Sequence, residues 1–295
     1  MLKQFKHFLY LSLVGWMLVS CSQENVTPGV ESQKVGKVSE AANATATQDN
    51  NLAMGNPSGA GTSYSNYLVT KPQYAMSYNS YRGTPNWVSW HLSSAWLGSA
   101  PRQDDFRADN SLPSNFYKVT SSDYTGSGFD RGHNCPSADR TLTVTDNSAT
   151  FLMSNMIPQA PNNNQKTWAN LENYCRTLVS QGNELYVIMG SYGTGGDGSA
   201  GYKTTIAGGK VTVPNRIWKV IVVLPVGTSD PSRVTTSTRV IAIDTPNSNT
   251  INTNWGTYRT TVDALEAKMG YNLLSNVSST VQSVIEARVD TGPTQ

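Results

Sequence analysis

Residues 129–140 read FDRGHNCPSADR and bring an acid, a base, a glycine, a histidine and a cysteine within a few positions of one another. Only 14% of the 295 residues are charged, so a cluster of this kind is uncommon along the chain. His133 is the side chain suited to take a proton near neutral pH. Arg131 presents a planar fork of donors that matches a phosphate or a carboxylate. Gly132 lets the backbone bend beside His133, where a Cβ would crowd a ligand. Pro136 stiffens the exit of the turn. A base beside a cationic clamp suits hydrolysis of an anionic ester. A blander reading stands next to it: an Asp-Arg pair can simply tie a loop and a lone histidine is often just packed, so the four residues DRGH do not decide by themselves.

The elements that must carry these residues can be read from periodicity. Asn86–Leu92 (NWVSWHL) alternates as a strand, with His91 on it as a packed or surface residue. Residues 100–118 form a loop holding Arg102 and Arg107 among acids, where surface ion pairs contribute little. Thr150–Met156 (TFLMSNM) reads as a buried strand that includes Asn155, followed by the polar run PQAPNNNQ. Trp168, Leu171, Cys175, Leu178 and Val179 recur at spacings of three and four, which predicts a helix stopped by Gly182. Glu172 and Arg176 lie one turn apart on it, and Asn164 sits just ahead of it, where an asparagine suits a cap. Leu185–Met189, Ile217–Leu224 and Val240–Ile243 are strands; SYGTGGDGSAG lacks the Lys-Ser/Thr of a phosphate loop and reads as a flexible surface excursion. Two helices are expected over 258–268 and 278–288, with Gly270 between them. Strands interrupted by one helix, then helices at the end, predict an α+β fold with a central, mainly antiparallel sheet flanked by helices.

The N-terminus has a basic start, an apolar run from about Phe8 to Val19, and the sequence Leu18-Val19-Ser20-Cys21. The run is short for a membrane span and suits a signal peptide over residues 1–20. Its end resembles a bacterial lipobox, in which Cys21 is lipidated and becomes the first residue of the mature chain. Ser22 is compatible with outer-membrane delivery, facing either the periplasm or the cell surface. Residues 21–62 are polar and poor in large apolar side chains and predict a flexible tether, leaving 63–295 as the folded domain. Formal net charge is +2, so a nucleic-acid partner would have to be held by a local cluster of charge.

Of three histidines, His7 leaves with the signal, so only His91 and His133 remain. There is no CxxC pair, which argues against a zinc site. A metal would be a hard ion held by oxygens and water; Mg²⁺ fits, with Mn²⁺ as the substitute, and Asn164 could supply an oxygen. With Cys21 lipidated, Cys135 and Cys175 form an even pair in an oxidising compartment, and a disulfide between them is expected. The competing reading makes Cys135 a nucleophile paired with His133.

Taken together, the spaced set resembles the DNA/RNA non-specific endonucleases, the ββα-metal nucleases that include secreted sugar-non-specific nucleases and endonuclease G. The set is Asp130-Arg131-Gly132-His133, then Asn155, then Asn164 before a helix, then Glu172 on it. The similarity spans about residues 64–289 and includes PNWVSWHL, RQDDFRAD and VDALEAKMGYNLL. The tripeptide Asn164-Gln165-Lys166 departs from the family's usual NRG or NQG form. The resemblance implies a ββα-metal active-site motif in which Asn164 is the direct protein ligand of Mg²⁺ and His133 is the general base. Glu172 would orient metal-bound water, Arg131 and Arg102 would lie on the phosphate side, and Asn155 would support the hydrogen bonding. It implies cleavage of single- or double-stranded DNA and RNA to 5′-phosphate products, with the membrane reached only through the N-terminal lipid. The alternatives are a non-catalytic nucleic-acid- or glycan-binding surface lipoprotein on the same fold, or a cysteine hydrolase using Cys135.

Overall fold

The computed structural model describes residues 45–295. The expected signal peptide, Cys21 and the first part of the tether lie outside the described residues.

The described chain is built on an eight-stranded sheet. In chain order its strands are β1 (Thr62–Ser63), β2 (Asn66–Thr70), β3 (Ala75–Asn79), β4 (Thr84–Leu92), then β7 (Asn183–Tyr192), β8 (Arg216–Pro225), β9 (Arg239–Pro246) and β10 (Arg259–Thr260). They lie side by side in that order, every pair antiparallel. The sheet is thus a meander with one long insertion, between β4 and β7. That insertion carries β5 (Asp130–His133) and β6 (Met156–Gln159), which form their own antiparallel ribbon, and a helix that leads back into β7. A short helix α1 (Val144–Ala149) lies between β5 and β6. Two strands and a helix therefore arrive as one unit, between the sheet's central strands.

Strands β7 and β8 are rich in β-branched and aromatic residues and are buried on both faces, because successive side chains point to opposite sides of the sheet. Leu185, Val187 and Met189 enter one apolar core with Trp168, Leu171 and Leu178 of the inserted helix. Tyr186 and Ile188 enter a second core with Val262 and Leu265 of α3 (Val262–Met269) and Ile285 of α4 (Ser279–Ile285). The sheet is sandwiched between the motif helix and the C-terminal helices, as the α+β expectation required.

Four expectations change. Thr150–Met156 is not a strand: the chain turns through a 3₁₀ segment, Met153–Asn155, and pairing begins at Met156. The buried Asn155 amide donates to the carbonyls of Thr150 and Cys135, at 2.9 Å each, and this local bonding replaces a ladder. The tether is also shorter than expected. Within 45–62, Met54 is buried in the second core and Asn51 hydrogen-bonds the backbone of His91, so these residues pack on the body. The glycine-rich stretch is no free excursion: Gly196–Gly198 pairs with Gly201–Lys203, and Ser199 N–H bonds the carbonyl of Gly128 just ahead of the DRGH strand. Finally, Cys135 and Cys175 are free thiols, not a disulfide. Both are buried in the first core, where each packs as a small apolar side chain, with no bond to pin the motif to the helix.

Candidate active site

The site grows out of the β5–β6 ribbon. Alternation along β5 puts Arg131 and His133 on one face and Asp130 and Gly132 on the other. Gly132 is required by its neighbour strand rather than by a ligand. A Cβ there would come within 2.3 Å of Gln159 Oε1 and 2.6 Å of its Cβ.

His133 is half-buried in an aromatic slot. Its ring meets Phe106 edge-on at 5.5 Å and Phe151 at 4.9 Å. Nε2 is sealed from solvent and has no hydrogen-bond partner. Burial and then the charges of Arg102 and Arg131 push its pKa down to about 3, so the imidazole is neutral at physiological pH. The two arginines flank the same aromatic pair from outside: the Arg102 guanidinium lies 4.8 Å from the Phe151 ring centroid and that of Arg131 4.6 Å from Phe106. Arg102 is further held by Asp104 (2.6 Å) and by Ser137 Oγ (2.8 Å), and Arg131 by Ser121 Oγ (2.6 Å). Both line a cleft of about 550 Å³, together with Phe106, Asp130 and Asn164. A cleft of about 620 Å³ beside Tyr174 and Trp255 has no His, Lys, Arg, Asp or Glu side chain in its wall.

Asn164 comes from the helix. The chain does not enter α2 (Ala169–Ser180) directly but through a wider π turn, Asn163–Trp168. Asn164 lies inside that turn, so it is not the cap that its place before the helix suggested. The turn is pinned from outside: Asn163 donates to Thr245 Oγ1 (3.1 Å) and the Pro246 carbonyl (2.8 Å), and Thr167 Oγ1 to the Asn252 carbonyl (2.9 Å). Two α turns take 7.2 residues, and a π bulge adds one, so the eight positions from Asn164 to Glu172 bring both to the same side of the helix. Lys166 is exposed, so its bulk at the position where the family has a small residue meets nothing.

Asp130 decides how Asn164 presents itself. Its Oδ2 accepts from Asn164 Nδ2 and from Gln165 Nε2, both at 2.8 Å. With its NH₂ so engaged, Asn164 leaves its Oδ1 without a partner among the described residues, as a fixed carbonyl at the cleft wall. That is the donor a hard, hydrated cation accepts, and the site therefore fits one. Asn155 does different work: besides its two donated bonds, its Oδ1 accepts from Cys135 N–H at 3.0 Å, and its backbone carbonyl accepts from Asn134, so it anchors the loop after β5.

Glu172 lies 3.5 Å from the Nζ of Lys219, which is itself sandwiched between Trp90 and Trp168 at 5.4 and 4.9 Å. Burial raises the Glu172 pKa and the Lys219 ammonium opposes that rise. Arg176 bonds Asp139 at 2.7 Å instead of Glu172. The cysteine-nucleophile reading loses its footing here, because burial pushes the Cys135 thiol up to about 12 and its protonated sulfur is a poor nucleophile. Sequence reasoning brought together Arg102, Arg131, His133 and Asn164. It missed Phe106 and Phe151 as the slot for the imidazole, Lys219 as the partner of Glu172, and the orienting role of Asp130. For Asp130 the signal was its place inside the motif.

The β5–β6 ribbon and α2 together form a ββα unit beside the cleft. The profile of the DNA/RNA non-specific endonucleases matches residues 54–280, and the chain belongs to that family. A nuclease from Nostoc sp. (strain PCC 7120) is 53% identical over 242 residues, covering 81% of this chain and 85% of that protein. Human mitochondrial endonuclease G is 34% identical over 166 residues, 54% of this chain and 56% of its own length. Among solved structures, the complex of endonuclease G with its inhibitor EndoGI has a TM-score of 0.62 at 24% identity, covering 77% of this chain and 91% of that one. The protein is a hydrolytic nuclease of this family.

Proposed function

We propose that the protein is a Mg²⁺-dependent, sugar-non-specific endonuclease that hydrolyses DNA and RNA to 5′-phosphate products. The observation that carries this reading is the Asp130–Asn164 bond, which leaves one amide carbonyl free at a cleft shared with two arginines. Arg102 and Arg131 bind the non-bridging oxygens of one phosphodiester, so register comes from the backbone and base preference is weak. His133 takes the proton of the attacking water as that oxygen bonds phosphorus in line with the departing 3′-oxygen. A neutral imidazole is ready for this step at any physiological pH. Docking of an anionic phosphate between the arginines offsets the charges that depress its basicity. Asn164 would hold the cation, with Glu172 on the same side of the helix to orient bound water. When bound, Mg²⁺ would neutralise charge on the phosphoryl and leaving oxygens. No step uses the 2′-hydroxyl, which is why both sugars are accepted.

In the same reading the chain is exported, and lipid on Cys21 tethers it to the outer membrane. Plasmid and total-RNA digestion by the purified protein, with EDTA and with Mg²⁺ restored, tests the activity. The expected result is loss of cleavage in EDTA and its full return with Mg²⁺. Cleavage that persists in EDTA would overturn the metal role, and intact substrates under all conditions would leave a binding protein on this fold.

A further inference from the structure

The C-terminal helices carry a second group of acids, in the core layer across the sheet from the motif helix. Thr261 caps α3 by accepting from Ala264 N–H, and the next free donor, Asp263 N–H, bonds the backbone carbonyl of Glu286 at 3.1 Å. That bond holds the end of α4 against the first turn of α3. It also brings three carboxylates together: one oxygen each from Asp263, Glu266 and Glu286 lies within 4.8 Å of the other two.

Like charges at this spacing repel, and a helix N-terminus offsets one exposed acid such as Asp263 rather than three. Glu286 is the informative member. It is only 4% exposed, and its Oε1 is sealed with no hydrogen-bond partner. The charged groups that bear on it are Glu266 and Asp263, both acids; burial and these two push its pKa up to about 7. Glu266 already uses Oε1 to accept from Leu273 N–H at 2.6 Å, which fixes its carboxylate in place. A buried carboxylate oxygen with neither donor nor cation is costly to keep.

We propose that Asp263, Glu266 and Glu286 form a binding site for one calcium ion that clasps α3 and α4 together, separate from the catalytic cleft. Oxygens on opposite sides of a Ca²⁺ lie about 5 Å apart, since each sits about 2.3–2.6 Å from the ion. The three carboxylates match that span. Calcium accepts six to eight oxygens in irregular arrangements, including bidentate carboxylates and water, whereas Mg²⁺ demands a near-octahedral set. The ion removes the repulsion among the three acids and supplies the partner that Glu286 Oε1 lacks.

Calorimetric titration of calcium chloride into the full chain carrying Asn164→Ala tests the proposal with the cleft's own ligand removed. One calcium is expected to bind, and a hundredfold excess over Kd should raise Tm by roughly 5 °C. Adding Glu286→Gln should abolish both signals and raise Tm in EDTA, because a repelling charge is gone. Asp263→Asn, at an exposed position that folding tolerates, should weaken calcium at least tenfold. No calcium binding to Asn164→Ala, or binding unchanged by both Glu286→Gln and Asp263→Asn, would overturn the proposal. Neither outcome depends on nuclease activity.

Discussion

The two histidines of the described chain, His91 and His133, are the same chemical group put to opposite uses. His91 lies on β4, fully buried, its ring 4.8 Å from Tyr186. Both of its nitrogens are satisfied: Nδ1 accepts from Asp49 N–H at 3.2 Å, and Nε2 is 3.2 Å from Glu184 Oε2. Glu184 in turn accepts from Gly227 N–H and pairs with Arg233. His91, Asp49 and Glu184 lie close enough to suggest a metal site, but a ring that uses Nδ1 as acceptor and Nε2 as donor has no lone pair left to give. His133 makes no such bonds. It is held by the edges of two phenyl rings, with arginines outside them and Nε2 unpartnered. The difference teaches that a histidine whose hydrogen bonds close within the protein holds the fold, whereas one whose Nε2 finds no partner there is not spent on it.

The largest effect should come from His133. His133→Ala is expected to lower kcat by about 10²–10⁴, the usual worth of a general base, with DNA binding retained. Single-turnover cleavage and a filter-binding assay separate the two, and near-wild-type turnover would erase the contrast with His91. Asp130→Ala should next show that the open site depends on its positioning. Freed from its carboxylate, the Asn164 amide rotates, and metal affinity or activity should fall about 10–100-fold. Raised Mg²⁺ should recover part of the rate, and a loss that no Mg²⁺ concentration relieves would argue against orientation as the cause.

His91→Ala should invert the pattern. It leaves Glu184 and the Asp49 amide each short of a partner, and is expected to cost about 1–3 kcal/mol of stability in urea unfolding. Cleavage per folded molecule should stay unchanged, and a fall in kcat without a fall in stability would break the comparison.

A further effect concerns pH. His133 is held neutral in the folded chain down to about 3, against 6.5 for an ordinary histidine. Between these values the unfolded chain binds the extra proton, so this group's contribution to stability falls as pH drops through that window, by at most about 1.4 kcal/mol per pH unit. Glu286 works in the opposite sense: with its pKa raised from 4.5 to about 7, its contribution is lost as pH rises through 7. The difference between wild type and His133→Ala isolates the histidine, and unfolding midpoints of the variant should fall less steeply from pH 6.5 to 4.

Much of the fold was legible because neighbours in sequence dictate it. Alternation announced β4, apolar runs announced β7 and β8, and the recurrence of Trp168, Leu171, Cys175 and Leu178 announced the helix that packs them into one core. The misreadings fall where a distant partner outvotes local pattern. Thr150–Met156 is apolar enough for a strand, yet the Asn155 amide bonds the loop 20 residues earlier and turns the chain instead. Asn164 looks like a cap until Asn163 and Thr167 are tied to residues 82–85 further on, which opens the turn into a π bulge. Cys135 and Cys175 count as an even pair on paper, but both are free thiols in the first core.

What the sequence determined by itself was the cast: a histidine, two arginines, an amide and an acid, at spacings that two strands and a helix bring into register. Tertiary structure alone decided their states. Asp130 reaches Asn164 across 34 positions, and Glu172 meets Lys219 from a strand on the far side of a loop. Whether a polar atom is satisfied depends on every group within about 3 Å of it, and those groups come from parts of the chain that periodicity cannot relate. The same reason separates His133 from His91, since only the folded chain shows which imidazole was left without partners.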